Sequence, residues 1–105
     1  MLPDTSGGLL AHIRRVGQHL GTRLADLAAR HAIVKEVRSV GLMSGLELTR
    51  DATPVVQEGL VRGVIVNRTA VTVVRLLPPL VITEREIDEA LERLDAALGA
   101  VETAQ

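Results

Sequence analysis

The segment Val73 to Leu94, VVRLLPPLVITEREIDEALERL, constrains the fold more than any other part of the chain. An apolar run carries one arginine, Arg75, stops at Pro78 and Pro79, and gives way to helical periodicity. Neither proline has an N–H to donate, so strand pairing must end there. Thr83 with Glu86 three residues on is a capping box, and Ile87, Leu91, Leu94 and Leu98 form the apolar stripe of the helix that follows. On the strand, Val71, Val73 and Arg75 share one face, and Thr72, Val74 and Leu76 share the other. Arg75 is the anomaly. Burying a guanidinium without a partner is strongly unfavourable. It therefore either reaches solvent from a half-exposed strand or awaits an anion.

The residues upstream supply what this strand and helix pack against. Leu9, Ile13, Val16, Leu20, Leu24 and Leu27 recur at three- and four-residue spacing, which predicts an amphipathic helix from about Leu9 to Arg30. Gly17 and Gly21 weaken it and suggest close packing against a neighbour. Arg14, Arg15, Arg23, Asp26 and Arg30 fall mostly off the stripe and read as solvent-facing. From Val34 the period changes to alternation, and a second extended run follows from Leu42 to Thr49. Gly41 and Gly45 suggest a turn or bulge and a close backbone approach. Thr53 reads as an N-cap with Pro54 at the first helical position, and Gly63 as the C-terminal cap of a short helix. Two further strands are expected at about Val64 to Asn67 and Val71 to Leu76, joined by the polar NRTA. The expected class is α+β: a small antiparallel or mixed sheet of about four strands with helices packed on one face.

A chain of 105 residues, 47% hydrophobic, fits one compact domain spanning residues 1–105. Its formal net charge of −1, with both signs interspersed, gives no electrostatic footprint for nucleic acid or an anionic membrane. There is no Phe, Tyr or Trp, so the core must be aliphatic and no aromatic side chain can stack on a base or cofactor ring. The absence of Cys removes disulfides, thiolate nucleophiles and cysteine-ligated metals, and fits a cytoplasmic protein. The N-terminal MLPDTSGG has no basic-then-apolar leader, and no apolar run is long enough to span a bilayer.

Few side chains offer chemistry. His12 and His19 lie two turns apart, about 10 Å along the helix axis, too far to share one ion, and read as surface residues. His31 follows the first helix and is expected to interact with its dipole. Ser6, Ser39 and Ser44 lack a nucleophile-elbow context. Glu84, Glu86, Asp88, Glu89 and Glu92 suit the positive end of a helix and spaced ion pairs with Arg85 and Arg93 better than a metal or acid catalyst. No glycine-rich phosphate loop is present. Lys35, the only lysine, stands beside Glu36 and reads as a solvated charge. No catalytic, cofactor-binding or metal-ligating residue is assigned. Arg75 alone remains, on a rigid strand backed by apolar residues, well placed to grip a carboxylate bidentately.

RGVIVNRTAVTVVRLLPPLVITEREIDEALERLDAAL resembles the C-terminal part of class III pyridoxal-phosphate-dependent aminotransferases, the acetylornithine/ornithine type in particular. The likeness continues upstream through VKEVRSVGLMSGLEL and the helix GLLAHIRRVGQHLGTRLADL, so it covers nearly the whole chain. It implies the small C-terminal domain of a fold-type I transaminase, in which the arginine matching Arg75 binds the α-carboxylate of the amino-acid substrate. Asn67 matches a frequent family position near the active-site side of this domain. The family's Schiff-base lysine, phosphate loop and pyridine-facing aspartate belong to its large domain; none of those motifs is present, and Lys35 does not align with the catalytic lysine.

The resemblance therefore implies a domain that works with a large cofactor-binding domain as its partner. Pyridoxal phosphate would be the cofactor of the parent enzyme, with none held by this chain alone. The parent would move an amino group from an N-acetylornithine-like donor to 2-oxoglutarate, a step of arginine biosynthesis. The ligands at Arg75 would be small amino-acid or 2-oxo-acid carboxylates. The other expectation is a stand-alone carboxylate-binding or protein-interaction module descended from that domain. Such a module should carry polar residues on the face that met the large domain, or form a homo-oligomer; a domain of a larger enzyme should expose an apolar patch there.

Overall fold

The computed structural model describes residues 8–40, 42–78 and 82–104. Gly41 and Pro79, on which an expected turn and half of the proline stop fall, lie outside them. Three helices and four strands follow one another as α1 (Gly8–Arg30), β1 (Val34–Val40), β2 (Met43–Leu48), α2 (Thr53–Val61), β3 (Asn67–Ala70), β4 (Val73–Leu76) and α3 (Glu84–Thr103). The strands form one sheet in the order β1-β2-β4-β3, with all three pairings antiparallel. One sheet face, carrying Leu46, Leu48, Val74 and Leu76, is buried in the core; the other is open.

Periodicity explains both long helices. Val16, Leu20, Leu24 and Leu27 on α1, and Ile87, Leu91, Leu94, Leu98 and Val101 on α3, are the buried stripes. They meet Leu46, Leu48, Val55 and Val74 in a single aliphatic core. At Gly21 a Cβ would stand 3.3 Å from Ser39 Oγ, so α1 does run close to β1 there.

The ends of the helices follow local chemistry. Thr83 Oγ1 accepts from the Glu86 N–H at 3.1 Å and Glu86 Oε1 accepts from the Thr83 N–H at 3.0 Å, a complete capping box. Thr83→Ala is expected to cost about 1 kcal/mol, read as a lower urea midpoint with an unchanged slope. The N-cap of α2 differs from expectation: the helix begins with Thr53 itself, and Asp51 Oδ1 accepts from the Thr53 N–H at 2.8 Å. That bond, chiefly, holds the Asp51 carboxyl below its usual range. At the other end Gly63 takes a φ of 87°, with Gly63 N–H donating to Leu60 O and Val64 N–H to Gly59 O. This is a Schellman stop, and it needs a residue without a Cβ penalty at Gly63.

The later strands are shifted from their expected places. Asn67–Ala70, the supposed connector, is β3, and Val64 to Val66 pairs with no strand. Val64 and Val66 are buried under the helices instead, while every side chain of β3 is exposed at the sheet edge. The first irregularity in the β1–β2 ladder falls between Val34 and Glu36, at Lys35, and not at Gly45.

Candidate functional site

The open sheet face brings the candidate residues together. Register places Arg38 opposite Gly45, Gly45 opposite Arg75, and Arg75 opposite Asn67, so one row crosses all four strands. Val74 and Leu76 point into the core, which by alternation turns Arg75 outward. Arg75 is exposed, and among the described residues its guanidinium has no hydrogen-bond or ion-pair partner. Arg38 differs. It donates to Glu36 at 2.9 Å, pairs with Glu47 at 3.5 Å, and holds the Glu36 carboxyl below its usual range. A shallow recess of about 200 Å³ lies along this row, walled by Val40, Met43, Val73 and Thr69. A five-donor fork at the rim of an apolar recess, uncommitted to any carboxylate among the described residues, can take a carboxylate in bidentate geometry.

The remaining candidates lie elsewhere. Lys35 is exposed at the β1 irregularity, away from this row. Ser44 is buried with its Oγ unpartnered, and Ser39 faces α1. Among the described residues no three His, Cys, Asp or Glu side chains are grouped to hold a metal ion. Nor is any described helix long and apolar enough to cross a membrane.

The histidines correct the surface reading. His12 Nε2 donates to Ile82 O at 2.9 Å, and His19 is 2.7 Å from Asp88. His31 is buried, its Nδ1 at 2.6 Å from Glu102 and its Nε2 at 2.5 Å from Asp95. A neutral imidazole has a single N–H, so two carboxylates at these distances require the imidazolium. Burial alone pulls the His31 pKa down, but the hydrogen bonds and charges of Glu102 and Asp95 together outweigh it and raise it. Glu102 is held below its usual range, chiefly by His31, and also accepts from the Ile33 N–H at 3.3 Å.

These contacts are part of a longer seam. Arg15 pairs with Glu84, Arg23 with Asp88 and Arg30 with Asp95, at 3.3 to 3.6 Å. The order of partners rises along both helices, so α1 and α3 lie side by side in parallel. Arg15 and Arg30 are on the solvent face as expected and Arg23 is half-buried, but all three also pair across to α3, whose acids therefore serve α1 as well as their own turns. Arg85 does pair with Glu89 at 3.6 Å, but Arg93 reaches the Gly63 carbonyl at 3.3 Å.

Residues 5–98 match the family described as aminotransferase class-III. The chain belongs to that family. Among curated class-III aminotransferases, the acetylornithine aminotransferase of Caldanaerobacter subterraneus subsp. tengcongensis is 39% identical over 98 residues, which is 92% of this chain and 25% of the relative. The ornithine aminotransferase of Staphylococcus carnosus is 40% identical over 81 residues, 77% of this chain and 20% of that protein. Of solved structures, the lysine aminotransferase of M. tuberculosis superposes with a TM-score of 0.85 at 32% identity, covering 91% of this chain and 23% of that one. The N-acetylornithine aminotransferase of Stenotrophomonas maltophilia gives 0.83 at 29% identity, covering 92% and 28%. The chain thus spans about a quarter of the length of the class-III aminotransferases it matches.

Proposed function

We propose that this chain is the small C-terminal domain of an acetylornithine-type aminotransferase and that Arg75 binds the carboxylate of its amino-acid or 2-oxo-acid substrate. The observation that carries the reading is the exposed Arg75 guanidinium, without a protein partner among the described residues, at the edge of an apolar recess. In the parent enzyme, a cytoplasmic protein of arginine biosynthesis, an N-acetylornithine-like donor would give its amino group to 2-oxoglutarate. Arg75 contributes orientation: two parallel N–H···O bonds fix a carboxylate's plane as well as its position. Exposed Val40 and Met43 wall the recess beside it with half-buried Val73, an apolar patch that supports a large-domain partner over a stand-alone module.

Pyridoxal phosphate supplies the electron sink of such reactions. The residues of this chain do not fit it. Lys35, the sole lysine, is exposed at the start of an edge strand, away from the Arg75 recess. The isolated chain given pyridoxal phosphate, N-acetylornithine and 2-oxoglutarate is expected to show no turnover. Borohydride trapping of a stoichiometric pyridoxal adduct together with turnover would overturn that expectation.

Binding of 2-oxoglutarate to the isotope-labelled chain, followed at the Arg75 Nε–H resonance and by calorimetry, tests the arginine. Arg75→Ala is expected to weaken binding at least about tenfold, in line with the loss of one charge-assisted hydrogen bond. Arg75→Lys should recover part of it, because lysine keeps the charge and loses the planar fork. Equal binding by the Arg75→Ala chain would refute the role.

A further inference from the structure

Gly45 sits inside β2, where glycine weakens a strand through backbone entropy and the lack of a side chain to pack. The fold gives no reason for it. Gly63 is the one described glycine with positive φ, so Gly45 adopts backbone angles open to any residue. A Cβ there would stand 3.8 Å from Val73 Cγ1 and 3.8 Å from Val74 O, both ordinary contacts. The ladder irregularity of β2 with β1 lies at Lys35, and the β2–β4 register runs unbroken from Ser44 to Glu47. A glycine that neither conformation nor packing demands marks a place where something lies against the strand.

Its neighbours indicate what. Gly45 is the bare position between Arg38 and Arg75, whose strands lie two spacings apart, about 10 Å. Any side chain at Gly45 would rise into the recess walled by Val40, Met43 and Val73. Arg38 is already neutralised by Glu36 and Glu47, so the recess has one anion seat, at Arg75, and an apolar wall leading away from it. We propose that Gly45 is a specificity-determining position: its bare backbone is the floor over which the hydrocarbon chain of an aliphatic carboxylate lies while Arg75 holds the carboxylate. This rests on the carboxylate role of Arg75 proposed above.

Two probes separate the floor from the anion seat: acetate, which has almost no chain, and pentanoate, which must cross Gly45. Each is titrated into the full chain, Gly45→Ala, Gly45→Val and Arg75→Ala, with thermal unfolding recorded for all four. The unaltered chain should bind pentanoate more tightly than acetate. Gly45→Val should leave acetate affinity within about twofold and weaken pentanoate at least about fourfold, the worth of one buried methylene. Gly45→Ala, whose Cβ meets only ordinary contacts, keeps the fold and should give a smaller loss in the same direction. If acetate binds at Arg75 but Gly45→Val weakens both probes equally, or neither, the floor is wrong and the arginine stands. If acetate does not shift Arg75, or binds Arg75→Ala as well, the anion seat itself fails and this inference falls with it.

Discussion

Replacing Leu94 by alanine is expected to lower the unfolding free energy by about 2–5 kcal/mol, enough to leave a domain of this size marginal or unfolded. Leu94 has no exposed surface and lies mid-way along the buried stripe of α3, the helix that packs against both α1 and α2. The loss combines the transfer free energy of the removed carbons with the cavity they leave. Relaxation into that cavity is limited, because the Leu, Val and Ile side chains of the core are held on all three helices and on the sheet, and the core has no aromatic ring to swing in. Leu94→Met, which keeps the volume, should cost less than about 1.5 kcal/mol. Leu60→Ala, at an exposed position, should change little. Urea unfolding of the three variants measures all of this; equal midpoints for Leu94→Ala and Leu60→Ala would contradict the packing described.

The second large effect is set by protons. His31→Ala should remove about 1.5–3 kcal/mol at mildly acid pH, because it deletes two charge-assisted hydrogen bonds and leaves Asp95 and Glu102 facing a gap. Folding raises the His31 pKa above its ordinary 6.5, so the folded state binds this proton more tightly than the unfolded chain does. That contribution is complete below pH 6.5 and disappears as pH rises through the folded value. Glu102 works in the opposite sense. Its carboxyl is depressed from 4.5, so its contribution is present above pH 4.5 and is lost as pH falls through the folded value. The cluster therefore stabilises most between about pH 4.5 and 6.5. Urea midpoints of the unaltered chain should decline as pH rises from about 6.5 through the raised His31 value, and His31→Ala should flatten that decline. Parallel pH profiles for the two chains would show that His31 does not carry it.

Much of this was legible in the residues because it is local. The stripes on α1 and α3, the capping box at Thr83 and the glycine stop at Gly63 each depend on side chains a few positions apart. Arg75 too could be placed on an outward face from alternation alone. The α+β class, the helices and a sheet of about four strands follow from the same signals, whereas the choice of antiparallel over mixed pairing came from the ladders themselves. The misplaced strands show where local signals mislead. Val64, Ile65 and Val66 look like a strand because apolar β-branched residues report burial, and here Val64 and Val66 are buried without pairing. Asn67, Arg68 and Thr69 look like a loop because they are polar, yet an edge strand pairs through its backbone and can expose every side chain. The His31 cluster needed tertiary knowledge. Asp95 and Glu102 lie two turns apart on α3, a visible spacing, but only the parallel packing of α1 and α3 carries His31 between them. The neighbourhood of Gly45 and Arg75 was hidden for the same reason, since the β2–β4 register joins segments separated by a helix and another strand.

A core made wholly of aliphatic side chains is also optically blank. With no Trp, Tyr or Phe and no disulfide, the chain has no near-ultraviolet chromophore of its own and no intrinsic fluorescence. Its concentration must be read from the peptide bond or by amino-acid analysis. The blank has a use: any absorption or emission above the peptide region in a purified sample belongs to something bound to it. Association with a large domain, or capture of a pyridoxal ring, would be seen directly against a dark background.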